Sequence, residues 1–155
     1  MRKIVCIIFL CGLVFAGCHP LFCVWDLGYT KIRKIGTPAL TGFYTLDKHS
    51  LDQMKYEGNY TISRHTLELL PNGTYKFMNL ADWVLSPFGD SKKSVITNEG
   101  KWSVQCLNPD GCEIVFDGFK DGLYGDLCAK NNRPAILISV GDPDGCIGLV
   151  YVKTN

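Results

Sequence analysis

Apolar and polar positions alternate with a period of two over several short stretches of this chain, and turn signals separate them. The clearest case covers residues 65–78. Leu67 and Leu69 fall on one face, Pro71-Asn72-Gly73 turns the chain, and Tyr75 and Phe77 alternate with Thr74, Lys76 and Met78 on the return. Strand side chains point alternately to two faces, and Asn-Gly supplies the positive φ that a tight turn requires, so this stretch predicts a hairpin. Residues 100–105 place Trp102 and Val104 on one face, and residues 112–116 return after an Asn-Pro-Asp-Gly turn. Residues 134–140 and 146–152 form a third pair around a Gly-Asp-Pro-Asp-Gly turn, and residues 41–46 make a further short, aromatic strand.

The stretches between these strands are less regular. Residues 47–59 are polar, with one or two helical turns expected over 50–56. Residues 80–93 read as a loop, yet carry Trp83, Val84, Leu85 and Phe88, which is enough apolar surface to pack as a lid or plug. Residues 117–133 are polar and glycine-rich and read as a long loop. Strong helical periodicity is absent. Seven or so strands joined mostly by short turns predict an all-β chain, an antiparallel meander forming a small closed or half-open barrel.

The N-terminus follows another pattern. Arg2 and Lys3 precede thirteen apolar residues, 4–16. As a helix that run spans ~20 Å against about 30 Å of bilayer hydrocarbon, so an export signal fits better than a membrane span. It ends in Ala16-Gly17-Cys18. These three residues resemble the end of a bacterial lipobox, although Phe15 stands where that pattern has leucine or another aliphatic residue. The resemblance implies cleavage before Cys18, a lipid on its sulfur and an acyl chain such as palmitate on its amine. Ordinary secretion with a free or disulfide-bonded Cys18 is the alternative. The expected organisation is a signal peptide over 1–17, an anchor and tether over 18–39 and a barrel-like domain over 40–155. Lys31, Arg33 and Lys34 lie in the tether, where cations can also face anionic lipid. His19 follows the cysteine, and the lipoprotein resemblance then implies the outer membrane, facing the periplasm, if the host is Gram-negative.

Composition refines this picture. A chain cut before Cys18 keeps fourteen Lys and Arg against fifteen Asp and Glu, so no basic field points to nucleic acid. Of eight cysteines, Cys6 and Cys11 leave with the signal. An oxidising compartment makes disulfides the default for the body. Cys106 and Cys112 flank one hairpin turn and are the first expected pair; Cys128 and Cys146 are the second. With Cys18 lipidated, Cys23 is left without a partner; without lipidation, six cysteines allow about fifteen connectivities.

Signals for chemistry are weak. No CxxC occurs, and His19, His49 and His65 are scattered, so no zinc site or other metal site is expected. Asp110, Asp142 and Asp144 sit in Pro-Asp-Gly turns without EF-hand spacing, which turn chemistry explains. Asn59 and Asn72 begin N-glycosylation sequons that matter only in a eukaryotic host. No nucleophile elbow, HExxH or phosphate loop is present, so no enzyme and no cofactor is expected. Asp117, Asp121 and Asp126 with His49 or His65 are the residues a small hydrolase would need, the least favoured alternative.

Gly42-Phe43-Tyr44, a Leu-x-Leu-x-x-Asn-Gly-x-Tyr run from Leu67 to Tyr75, Gly100-Lys101-Trp102 and a closing segment from Asp142 to Lys153 together resemble the small, lipocalin-like lipoproteins and exported proteins of bacteria. The resemblance covers roughly residues 40–153. It implies a lipocalin-like barrel, not a reaction. Phe43, Tyr75, Phe77, Trp83, Trp102 and Phe116 would line a pocket or fill the core. The expected function is a membrane-anchored envelope lipoprotein with a binding or scaffold role. Its partner would be a small apolar ligand or an envelope protein. The alternative is a protein-interaction module such as an inhibitor or assembly accessory.

Overall fold

The Pro71-Asn72-Gly73 turn forms as its residues dictate. Gly73 takes φ 80°, its amide donates to the Leu70 carbonyl at 3.1 Å, and Asn72 accepts from the Thr74 amide at 3.1 Å. Around it, the computed structural model describes residues 27–58, 60, 64–85, 94–107, 110–141 and 147–154. The turn joins β3 (Thr66–Leu69) to β4 (Thr74–Ala81). The other strands are β1 (Thr30–Lys31), β2 (Gly42–Leu46), β5 (Val95–Leu107), β6 (Gly111–Phe116), β7 (Leu123–Lys130), β8 (Arg133–Ser139) and β9 (Gly148–Lys153).

All pairings are antiparallel. Neighbours run β2-β3-β4-β5-β6-β7-β8-β9, and β9 returns to β2 through Thr45 opposite Val152, closing an eight-stranded barrel. β7 changes partners along its length. Residues from Leu123 to Asp126 pair with β6, whereas Asp126 to Lys130 pair with β8. β1 takes the edge of β7 beyond β6, with Thr30 opposite Ala129.

Two helices flank β2. α1 (Thr37–Leu40) precedes it and α2 (Lys48–Gly58) follows it, so they lie at opposite ends of that strand. Leu40 from one and Met54 from the other join the core. Asp47 caps α2: its Oδ1 accepts from the Ser50 amide at 2.8 Å and the Ser50 hydroxyl at 2.7 Å. Ser50 is fully buried and also accepts from the Val150 amide at 2.8 Å.

Several expectations change here. The expected loop over 117–133 contains β7, whose inward Leu123, Gly125 and Leu127 alternate with outward Tyr124 and Asp126. The expected one or two turns over 50–56 are an eleven-residue helix. Over 80–93, β4 continues to Ala81 and a 3-10 turn (Asp82–Leu85) follows; residues 86–93 lie outside the described residues. The expected tether is packed from Leu27 onward. Leu27 and Tyr29 cover Cys128, Ala135, Leu137 and Val150 on the outside of the barrel wall. The Ile32 amide donates to Leu127 and its carbonyl accepts from Cys112, both at 2.8 Å. Residues 27–35 therefore act as a strap.

Candidate functional site

Inward positions of the barrel meet as a contiguous aromatic cluster. Phe116 lies edge-on to both Tyr75 and Phe77, with ring centres 5.0 Å apart in each pair, and Phe77 is 5.6 Å from Tyr151. Such tilted contacts suit the ring quadrupoles. Tyr75, Phe77, Phe116 and Tyr151 are at most 1% exposed. The Tyr75 hydroxyl donates to the Asp117 carbonyl and lies against the Asn98 side chain. The Trp102 indole donates to the Leu70 carbonyl at 3.3 Å. Trp83, on the 3-10 turn, is buried in the same core. Five of the six sequence-predicted aromatics thus fill the interior. The sixth does not: Phe43 is 56% exposed, because Tyr44 and Leu46 take the inward phase of β2.

One polar atom in this core has no partner. The Tyr151 hydroxyl is buried and unbonded, and burial pushes its pKa well above the usual tyrosine range. Burial does the same for Tyr44, whose hydroxyl donates to the Leu40 carbonyl.

Outside the barrel, Phe43 borders a groove where the β2–β3 ladder ends beneath α2. Thr45, Leu46, Leu51, Arg64, His65 and Thr66 complete its lining. Leu51 is 40% exposed. Nearby, Asn79 makes a bulge in β4 with φ 60°. Its side-chain amide donates to the Arg64 carbonyl at 2.7 Å, and its own carbonyl bonds His65 Nδ1. A carbonyl only accepts, so that proton sits on Nδ1. Nε2 of His65 is buried and without a partner. Bulges are frequent where a strand must re-aim a side chain, and here the bulge fixes both residues at the groove's end. Sequence reasoning weighed His65 as a metal ligand and as a hydrolase residue and missed Leu51 and Arg64; the parity of β2 is the signal that puts Phe43 outside.

Two of the residues a hydrolase would need, Asp126 and His65, have other side-chain partners. Asp126 pairs with Lys31 at 3.3 Å. Asp117 contributes its carbonyl to Tyr75, and His65 bonds Asn79. Among the described residues no three His, Cys, Asp or Glu side chains are grouped to hold a metal.

Cys106 and Cys112 form the expected disulfide across the β5–β6 hairpin, where they are register partners. Cys128 is a free, buried thiol, and Cys146, its expected partner, lies outside the described residues. Its side chain lies in the layer between the barrel wall and the strap and donates to the Ala135 carbonyl at 3.5 Å. Burial first, and then the charges of Asp126 and Asp47, push this thiol up to about 12. Cys18, Cys23 and Cys146 lie outside the described residues, as do Asp142 and Asp144. Among the described residues no helix is long and apolar enough to cross a membrane.

Comparison with protein-family models, with curated proteins and with solved structures finds no match to this chain. The fold is an all-β, closed, antiparallel eight-stranded barrel with one extra strand, consistent with a lipocalin-like architecture.

Proposed function

We propose that this chain is an exported lipoprotein, held to a membrane through Cys18, whose barrel serves a binding or scaffold role without catalysis and works through its outer surface. The observation that carries the outer-surface assignment is the interior itself. Tyr75, Phe77, Phe116 and Tyr151 occupy it in ring-to-ring contact, and Leu40 and Met54 enter from the two ends. A barrel of this size either holds one small ligand or is filled by its own side chains. The second case leaves the outer groove, with Phe43 and Leu51 exposed beside Arg64, as the place for a partner. Exposed apolar side chains rimmed by polar ones mark interaction sites. This favours an envelope protein as partner over a small apolar ligand inside the barrel.

The anchor rests on the apolar run and its Ala16-Gly17-Cys18 end. Intact mass of the chain recovered from a bacterial host tests it. The expected product lacks residues 1–17 and carries diacylglycerol and acyl mass, which Cys18→Ser abolishes; an unmodified wild-type chain would overturn it. A photo-crosslinking residue at position 43 tests the groove. A discrete envelope adduct is expected, lost with Leu51→Ser and Arg64→Ser; labelling indifferent to both changes would refute it.

A further inference from the structure

The described chain enters the barrel at a cationic corner. Lys130 and Arg133 are register partners flanking the tight Asn131-Asn132 turn of the β7–β8 hairpin, and all four residues are exposed. Lys130 Nζ donates to the Leu27 carbonyl at 2.6 Å and sits 5.1 Å from the centre of the Tyr29 ring. The hairpin tip is thus tied to the first described residue. Tyr29 in turn bonds Asp47, which is followed by exposed Lys48. Arg33 and Lys34, both exposed, continue along the strap.

Among the described residues the acids on this side are accounted for, and Asp26, next to Leu27, lies outside them. Asp126 is paired with Lys31, and Asp47 accepts from Tyr29 and Ser50. Asp110 and Glu113 belong to the β5–β6 hairpin, which meets the strap at Ile32 rather than at Leu27. The hairpin tip itself carries cations and asparagines only.

We infer that the β7–β8 hairpin tip and the adjoining strap form a lipid-facing surface that lays this corner of the barrel against the phosphates of an anionic bilayer. The inference rests on the lipid anchor proposed above, and chain length gives it force. Eight residues separate Cys18 from Leu27, and nine steps of extended chain reach at most about 30 Å. Lys130 and Arg133 therefore stay within a tether's length of the headgroups wherever else the barrel turns. Within roughly a Debye length of an anionic surface, each cation strengthens binding about fivefold. The phosphates would take the hairpin's exposed donors.

The test uses the chain from position 18 onward with Cys18→Ser, which carries no lipid and retains every residue of the strap and barrel. Partition onto phosphatidylglycerol vesicles is compared with partition onto phosphatidylcholine vesicles at low salt. Preference for the anionic vesicles is expected, and Lys130→Gln with Arg133→Gln lowers it about 25-fold. Arg133→Gln alone, which leaves the Lys130 contacts to the strap intact, lowers it about fivefold. Lys76→Gln with Lys101→Gln, on β4 and β5, leaves it unchanged. Equal partition onto both vesicles, or equal loss in the two double variants, would overturn the inference. Because this chain has no anchor, absence of lipidation in the native host would leave the vesicle result standing and is read separately from the intact mass.

Discussion

The hydroxyl of Tyr29 donates to Oδ2 of Asp47 at 3.0 Å, and through that one bond the strap is fastened to the cap of α2. The contact spans eighteen residues and joins the segment leading from the N-terminus to the start of the helix that closes one end of the barrel. Tyr29→Phe keeps the ring under Lys130 but removes the bond. A hydrogen bond to a partly exposed carboxylate contributes about 1 kcal/mol. The expected outcome is a loss of that size in urea unfolding, with faster hydrogen exchange at the Ile32 and Cys112 amides. Unchanged exchange there would show that the strap is held without Tyr29.

Tyr75 and Tyr151 are both buried in the barrel, yet their hydroxyls differ. Tyr75 has acceptors, whereas Tyr151 has no partner. An unmade buried bond costs roughly 1–3 kcal/mol, and a made one contributes about 1 kcal/mol. Tyr151→Phe is therefore expected to stabilise the protein by about 1 kcal/mol, and Tyr75→Phe to destabilise it by a similar amount. Denaturation midpoints of the two variants check the opposite signs directly.

Gly100 has a packing reason to be glycine. It stands opposite Tyr75 across the β4–β5 ladder, and a Cβ there would lie 2.5 Å from the Asp117 carbonyl oxygen and 3.0 Å from the Tyr75 ring. The nearest atom is backbone and cannot swing aside. Gly100→Ala is expected to cost about 2–3 kcal/mol, as overpacking of a tight site does. Gly73→Ala meets no close atom but occupies φ 80°, so its cost of ~1 kcal/mol comes from the backbone alone. Thermal unfolding of the two variants separates the causes.

Alkaline pH has a defined direction of effect. Burial raises the pKa values of Tyr29, Tyr44 and Tyr151, and it holds the Cys128 thiol near 12. Each group binds its proton more tightly in the folded state than in the unfolded one. The associated stability is fully present below the unfolded values, roughly 8.5 for cysteine and 10 for tyrosine, and is lost as pH rises above them. The tyrosinate absorbance of Tyr44 and Tyr151 is expected to appear late and together with unfolding. At pH 8 a thiol reagent should leave Cys128 unmodified until denaturant is added; rapid native-state labelling would contradict its burial.

The Cys106–Cys112 bridge closes a short loop, so its contribution is modest. A sequence separation of six residues corresponds to about 2 kcal/mol in the chain-entropy account. Replacing both residues by serine should lower stability by that amount while the far-ultraviolet spectrum keeps its strand signature.

The parts of the fold legible in the sequence are those where alternation and turn chemistry agree. The β3–β4 hairpin is the clearest example, with Leu67, Leu69, Tyr75 and Phe77 all inward and Asn72-Gly73 at the turn. β7 escaped notice because Gly125 occupies an inward position where a larger apolar residue would have shown the period. That position has no room, since a Cβ would sit 2.6 Å from Ile136. α2 was under-read because its buried stripe is narrow, only Ser50 and Met54 being fully covered. The strap binds through backbone groups and through Leu27, Tyr29, Lys31, Ile32 and Ile35, a mixture of types with no single alternation. At the groove, Phe43 was legible as an aromatic but not as an outward one. The orphaned His65 nitrogen depends on a bulge at Asn79 that no pattern announces.

The ring of strands is completed by its last member. β9 lies between β8 and β2, so the chain's final strand supplies the seam that joins the first strand of the barrel to the rest. Until residue 153 is available, β2 and β8 both present open backbone edges, and the longest-range contacts are still unmade. A chain that lacks β9 exposes the two margins, on β2 and β8, that the closed barrel pairs.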